Sequence, residues 1–169
     1  MRYDEFVASR LQGLLRYAVM LTGDTHLAQD LVQETMVRVQ LKWRRVAAAD
    51  VPELYVRRML TNAYADARRG SWLRRVIPFA DAADAAARPS TVDDPAVAHA
   101  ERDEVWALLA RLPHRQRAAL VLRFYEGLTD ADIAAVLDCA VGTVRSLISR
   151  ALATLRTQLE TPSSIGEPR

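Results

Sequence analysis

The sequence lacks several features that would point to other classes of protein. It has one cysteine, Cys139, in 169 residues, so no disulfide can form within the chain and nothing indicates an oxidising compartment. No run approaches the roughly 18 apolar residues that a membrane span needs, and no signal peptide opens the chain. No stretch alternates apolar and polar residues as a half-buried strand does. We therefore predict a soluble, cytoplasmic protein without strands.

Signatures of catalysis are also missing. The sequence contains no phosphate-binding glycine loop, no HExxH motif and no paired cysteines. Its three histidines, His26, His99 and His114, are scattered without metal-ligand spacing. The lone Cys139 is more typical of a small buried residue than of a nucleophile. We expect neither enzymatic activity nor a cofactor nor a metal.

Charge is unevenly distributed although the net charge is only +2. Residues 35–78 carry ten basic and three acidic side chains, a net charge of +7. Residues 79–104 reverse this balance with two basic and seven acidic side chains, a net charge of −5. A concentrated basic segment is typical of polyanion binding, which we therefore assign to the first of these segments.

Apolar residues recur at helical spacing almost throughout the chain. A first helix ends near Gly23, Asp24 or Thr25 can cap a second, and Pro52 opens a third that runs to about Arg69. A proline-containing, acidic stretch follows, and the helical pattern then returns. The predicted fold is all-α, with two small helical domains at 1–69 and 103–160, a flexible linker at 70–102 and a disordered tail at 161–169.

The segment LTDADIAAVLDCAVGTVRSLISRALATLR, from Leu128 to Arg156, has the pattern of a helix-turn-helix. Thr129 and Asp132 can cap its first helix, and Asp138 lies at the turn, where a left-handed backbone is needed. The alternative to a DNA-reading helix-turn-helix is an ordinary helical hairpin, in which two amphipathic helices simply pack together. The apolar residues predicted to face inward are Ile133, Ala134, Leu137, Val141, Val144, Leu147 or Ile148, Leu152 and Leu155.

The front of the second helix is predicted to read DNA. No acidic residue occurs from Ala140 through Leu159, and a face without negative charge suits a helix that enters a major groove. The candidate DNA-binding residues are Gly142, Thr143, Arg145, Ser146, Ser149 and Arg150.

The longer segment LPHRQRAALVLRFYEGLTDADIAAVLDCAVGTVRSLISRALATLR resembles region four of bacterial sigma factors, particularly those of the extracytoplasmic-function (ECF) group. It departs from the common pattern with Asp132 for Glu, Asp138 for Gly and Ala140 for Ser. The resemblance implies that this region reads the minus-35 promoter element. Because two-component regulators carry a similar helix-turn-helix, the first 69 residues decide between the two classes.

Within those residues, AQDLVQETMVRVQLKW resembles the region-two segment that docks on the clamp helices of RNA polymerase. Asp30, Gln33, Glu34, Val37 and Leu41 share one helix face at i, i+3, i+4, i+7 and i+11. The face mixes hydrogen-bond acceptors with apolar groups, as protein interfaces do. The resemblance implies that Asp30, Gln33, Glu34 and Val37 bind polymerase. The alternative is that this face of the helix is only exposed to solvent and binds no partner.

The segment PELYVRRMLTNAYADARR resembles the part of region two that opens and reads the minus-10 element. Its candidate DNA-binding residue is Asn62, whose amide can both donate to and accept from an unstacked base. Trp43 is either a stacking platform for such a base or a packing residue between helices. Phosphate affinity is expected from Arg57, Arg58, Arg68 and Arg69.

Taken together, the resemblance implies a sigma factor that binds the clamp and flap of core RNA polymerase and directs it to promoter DNA. It also implies a possible anti-sigma factor as partner. Two other classes stay open: a stand-alone helix-turn-helix regulator, and a sequestered interaction protein that no longer initiates transcription.

Overall fold

The computed structural model describes the backbone of residues 1–76 and 96–160 and the side chains of residues 1–70 and 103–160. Within these ranges all regular structure is helical and no strand occurs, which confirms the predicted all-α class. The proposed tail at 161–169 and most of the proposed linker, including its aspartates Asp81, Asp84, Asp93 and Asp94, lie outside the described residues.

The N-terminal module consists of α1 (Tyr3–Thr22), α2 (Thr25–Leu41), α3 (Trp43–Ala47) and α4 (Pro52–Val76). Gly23 ends α1 in the left-handed conformation, and the Asp24 side chain caps α2 by accepting from two backbone amides. Two predicted details were wrong: α4 continues to Val76 instead of ending near Arg69, and the basic connection after α2 forms α3. The largest fully buried side chains of this module are Phe6, Leu14, Tyr17, Leu21, Val39, Val46, Val56 and Leu60.

The C-terminal module consists of α5 (Ala96–Ala110), α6 (His114–Leu120), a π-helical segment (Val121–Tyr125), α7 (Asp130–Leu137) and α8 (Val141–Glu160). The π-helical segment closes with a 3.0 Å bond from the Glu126 amide to the Val121 carbonyl, five residues earlier. It leaves Phe124 and Tyr125 exposed and turns Glu126 toward the N-terminal module.

The buried side of α8 differs from the predicted one at a single position. Val144 and Ala151 are fully buried, with Leu147, Ile148 and Leu155 packed partly against the core. Leu152, which we predicted to face inward, is 40 % exposed. Ala151 lies seven residues after Val144, two helical turns on, so it carries the buried side and Leu152 is rotated toward solvent.

The two modules pack against each other, chiefly through α4 and α7. Arg117, 2 % exposed, crosses this boundary and donates to the Leu21 carbonyl of α1 at 2.7 Å and to the Tyr64 hydroxyl of α4 at 3.2 Å. The indole of Trp106 lies directly over the backbone of Gly23, in the space that a β-carbon would occupy. The described part of the molecule is therefore one closed unit.

Candidate nucleic-acid and polymerase interfaces

The helix-turn-helix has the geometry that its sequence predicted. The Thr129 hydroxyl caps α7 by accepting from the Asp132 amide at 3.2 Å and donating to the Asp132 carboxylate at 2.8 Å. Asp138 takes the left-handed conformation at φ 53° and ψ 56° and ends α7. Ile133 and Val144 are both fully buried where α7 crosses α8. Local capping and a packed crossing thus fix α8 relative to α7.

The front of α8 forms an exposed polar face. All six candidate minus-35 residues are exposed, so no side chain among them is used in the core. The Ser146 hydroxyl donates to the Gly142 carbonyl at 3.1 Å. The Arg145 Nε donates to the Asp130 carboxylate at 3.2 Å, whereas no protein partner is seen for the Arg150 side chain within the described residues. The face offers two guanidinium groups to an approaching groove.

The candidate polymerase face of α2 is likewise exposed along its length. Asp30, Gln33 and Glu34 lie in solvent, and Val37 is 53 % and Leu41 81 % exposed. Glu34 pairs with Arg38 one turn later at 2.5 Å, which leaves the apolar side chains uncovered. Exposed valine and leucine beside carboxylates are suited to a protein partner rather than to DNA, since carboxylates repel phosphate.

Apart from Trp43 in α3, the candidate minus-10 residues are spread over three turns of α4. Asn62 is exposed and has no side-chain hydrogen bond to any described residue. Arg68 donates to the Tyr64 hydroxyl at 3.3 Å, and Arg69 pairs with Asp66. Arg58 forms a 2.8 Å ion pair with Asp138 of the helix-turn-helix. In this closed arrangement one candidate minus-10 residue is therefore bound to the turn of the minus-35 module.

Arg57 and Trp43 both make contacts within the protein. Arg57 was expected to contact phosphate, but it is only 4 % exposed, so that expectation was wrong. Its guanidinium pairs with Glu53 and Glu126 and lies 5.8 Å from the centre of the Tyr17 ring. Trp43 packs edge-on against Tyr3 and obliquely against Phe6, with ring centres 5.6 and 5.4 Å apart. Trp43 was suggested either as a stacking platform for a base or as a packing residue, and these contacts support the packing role.

The sequence interpretation gave no role to Arg117, Glu126 or Asp130. Arg117 and Glu126 belong to the motif that carries the family resemblance, but each also has a partner in the other module, which leaves no local pattern. Asp130 contacts Arg123 and Arg145, which flank it by seven and fifteen residues.

Comparison with known proteins connects these surfaces to a family. The family model for Sigma-70 region 2 matches residues 6–74, and that for Sigma-70 region 4 matches residues 102–155. The RNA polymerase sigma-E factor of Streptomyces avermitilis is 36% identical over 160 residues, covering 95% of this chain and 86% of the relative. The ECF RNA polymerase sigma factor EcfG of Rhodopseudomonas palustris is 31% identical over 156 residues, covering 92% and 83%.

Solved structures show the same fold. The sigma factor RpoE of Bartonella quintana, crystallised with the anti-sigma factor NepR, matches with a TM-score of 0.73 and 23% identity over 95% of this chain and 98% of that one. CnrH, in complex with the cytosolic domain of CnrY, matches with a TM-score of 0.66 and 24% identity over 95% and 89%. Among the described residues, no helix is both long and apolar enough to cross a bilayer.

The two matched regions together span most of the chain, and relatives above 30% identity extend across both. The chain therefore belongs to the extracytoplasmic-function group of the sigma-70 family, promoter-specific factors for transcription initiation rather than enzymes.

Proposed function

We propose that this protein selects promoters only together with core RNA polymerase, by a division of labour between three exposed faces. The α2 face with Asp30, Gln33, Glu34 and Val37 binds the polymerase clamp. The C-terminal module reads the minus-35 element as a duplex and contacts the flap. The α4 face with Asn62 and its neighbouring arginines captures and melts the minus-10 element. The factor works in the cytoplasm, where polymerase and chromosome meet.

The observation that carries this proposal is the contact between α4 and α7, including the ion pair of Arg58 with Asp138. The two promoter elements are named for positions 35 and 10, about 25 base pairs apart, which is roughly 85 Å of duplex at ~3.4 Å per pair. Helices in direct contact cannot reach two sites so far apart. Something must separate the modules before both elements are engaged, and core polymerase is the partner that has binding faces for each.

Melting follows from the same division of labour. Opening a duplex without a chemical fuel requires that captured bases offset the lost stacking. Asn62 has a free donor and acceptor for such a base, while Arg68 and Arg69 stand one to two turns later to hold phosphates. Trp43 contributes by packing α3 onto α1 and so fixing the loop that precedes α4.

We further propose an anti-sigma factor as a second partner, because the sigma factor RpoE, a solved structure of the same fold, is held by one. Such a partner would keep the factor from polymerase until it is needed. The exposed Val37 and Leu41 of α2 are candidate contacts for it, since a protein that covers them also blocks the clamp face.

The test compares promoter binding by the purified full chain with and without core polymerase, followed by run-off transcription. We expect weak, unselective DNA binding alone, and selective binding with strand opening when core polymerase is present. Tight, sequence-selective binding by the isolated chain would instead indicate a stand-alone regulator. A chain that binds core polymerase but starts no transcript would indicate a sequestered interaction protein.

A further inference from the structure

Asp130, the first residue of α7, lies between two arginines of neighbouring segments. Its Oδ2 accepts from the Arg145 Nε at 3.2 Å, and its Oδ1 pairs with the Arg123 Nη2. The Asp130 side chain is only 23 % exposed, whereas the Arg145 side chain is 71 % exposed. The largely enclosed Asp130 carboxylate, which also pairs with Arg123, thus accepts from the Nε of Arg145, while the rest of the Arg145 guanidinium projects into solvent.

The way in which Arg145 is held leaves its recognition groups available. A guanidinium has five N–H donors, and here only the one on Nε is bonded. No described residue accepts from its two terminal nitrogens, Nη1 and Nη2. Those nitrogens form the fork that bonds the O6 and N7 acceptors of guanine in a major groove. The contact to Asp130 therefore fixes the direction of the fork without using it.

From this geometry we propose that Asp130 is a positioning residue that sets the base specificity of Arg145 at the minus-35 element, an inference that rests on the function proposed above. Restraining Arg145 before DNA arrives reduces the rotamer freedom lost on binding. The carboxylate also repels phosphate, so it disfavours complexes in which Arg145 merely contacts the backbone. Both effects increase the difference in binding free energy between a promoter with the correct base and one with any other base.

A general role in stabilising α7 makes a different prediction. Any carboxylate in the first turn of a helix interacts favourably with the helix dipole. Asp132 lies in that same turn and bonds Thr129, with no contact to Arg145 among the described residues. Asp132→Asn is therefore the matched control: it removes a first-turn charge while leaving the support of Arg145 in place.

The experiment uses the full chain with core polymerase and a set of promoters in which each minus-35 base pair is varied in turn. Arg145→Ala first identifies the position that Arg145 reads. At that position we expect Asp130→Asn to reduce discrimination roughly tenfold, while Asp132→Asn leaves it unchanged. Asp130→Asn should add nothing to Arg145→Ala in the double variant, and Asp130→Glu should restore part of the discrimination.

Two results would overturn the proposal. One is an equal effect of Asp130→Asn on every promoter. The other is a loss of discrimination in the double variant that equals the product of the losses caused by Asp130→Asn and Arg145→Ala alone. If the proposed function itself fails, the unmodified chain shows no minus-35 preference with core polymerase, which is a separate outcome. Should Asp130→Asn not fold, solvent exchange of the Arg145 Nε proton in the unmodified chain provides a second measurement. Slow exchange relative to the Arg150 Nε supports the restraint, and equal exchange contradicts it.

Discussion

Arg57 and Glu126, which lie 69 residues apart in the chain, form an ion pair that joins the two modules. The Arg57 Nη1 and Glu126 Oε2 are 2.5 Å apart, and the two side chains are 5 % and 12 % exposed. Glu53, one turn before Arg57, accepts a hydrogen bond from the Arg57 Nη2 at 2.7 Å. The guanidinium is thus held by one carboxylate from its own helix and one from the other module.

The first prediction concerns this pair. We expect Glu126→Gln to reduce the free energy of unfolding by about 1–3 kcal/mol, because a charge-assisted hydrogen bond is replaced by a weaker one to a neutral amide, while Glu53 still neutralises Arg57. We also expect a larger radius of gyration in X-ray scattering, since the weakened bond joins the modules. Asp4→Asn is the control, as its 3.7 Å pair with Arg2 is 81 % exposed at both ends. An unchanged radius and stability would contradict the prediction.

The second prediction compares two glycines with the same backbone. Gly23 and Gly127 both have φ 68°, so alanine at either position is strained by about 1–2 kcal/mol. At Gly23 a β-carbon would also collide with the Trp106 ring, whereas at Gly127 it would meet nothing within 4 Å. Urea unfolding should show a loss for Gly23→Ala that exceeds that for Gly127→Ala by about 1–3 kcal/mol. Equal losses would mean that Trp106 does not hold this boundary.

The third prediction concerns Arg145. If it reads a base edge, Arg145→Ala should lower promoter affinity by about 1–3 kcal/mol at particular minus-35 base pairs only. Competition binding with core polymerase and single-base-pair promoter variants measures this. Arg156→Ala, two turns beyond the recognition face, serves as the control. A uniform loss over all promoters would reduce Arg145 to a phosphate contact.

The fourth prediction concerns strand opening. Asn62→Ala should reduce open-complex formation roughly tenfold, about 1.4 kcal/mol, because a captured base loses one polar partner. Binding to core polymerase should stay as in the unmodified chain, since Asn62 lies on α4 and the candidate clamp face on α2. Permanganate reactivity of minus-10 thymines reports opening, and Gln12→Ala, an exposed amide on α1, is the control. Normal opening by Asn62→Ala would remove this residue from the mechanism.

The fifth prediction is a dependence of stability on pH. Partial burial, followed by the charges of Arg68, Arg115, Arg117 and Arg69, lowers the pKa of His114 below 6.5. As pH falls below 6.5 the unfolded state takes up a proton that the folded state resists, so stability decreases until the folded-state pKa is reached. Urea midpoints at about pH 7.5 and about pH 5.5 should differ less in His114→Gln than in the unmodified chain. If the midpoint changes between the two pH values by the same amount in both proteins, His114 is not a source of the pH dependence.

Much of this fold follows from local rules. Helical spacing identified Ile133 and Val144 as core, and side-chain chemistry identified the Asp24 cap and the left-handed Asp138. These features depend on residues within a turn or two of one another, which is the range over which sequence pattern is informative. The exposed α2 and α8 faces could be predicted for the same reason.

What could not be predicted depends on contacts between distant segments. Nothing near Arg57 in the sequence indicates burial, because its second carboxylate comes from Glu126 in the other module. Arg117 and Trp106 likewise each contact a residue across the same boundary. At Leu152 the error was one of helical phase, since a residue one place from Ala151 is rotated by about 100°.

The indole over Gly23 has a consequence for the energetics of opening. If polymerase draws the modules apart as proposed, the Trp106 ring leaves the end of α1 and faces water, and a large aromatic surface gains hydration. Release would then carry an apolar penalty of about 1–3 kcal/mol from this one side chain, which the enzyme would have to offset by covering the ring or by binding elsewhere. A protein arranged in this way would open only for a partner that binds both modules with enough affinity to exceed that penalty.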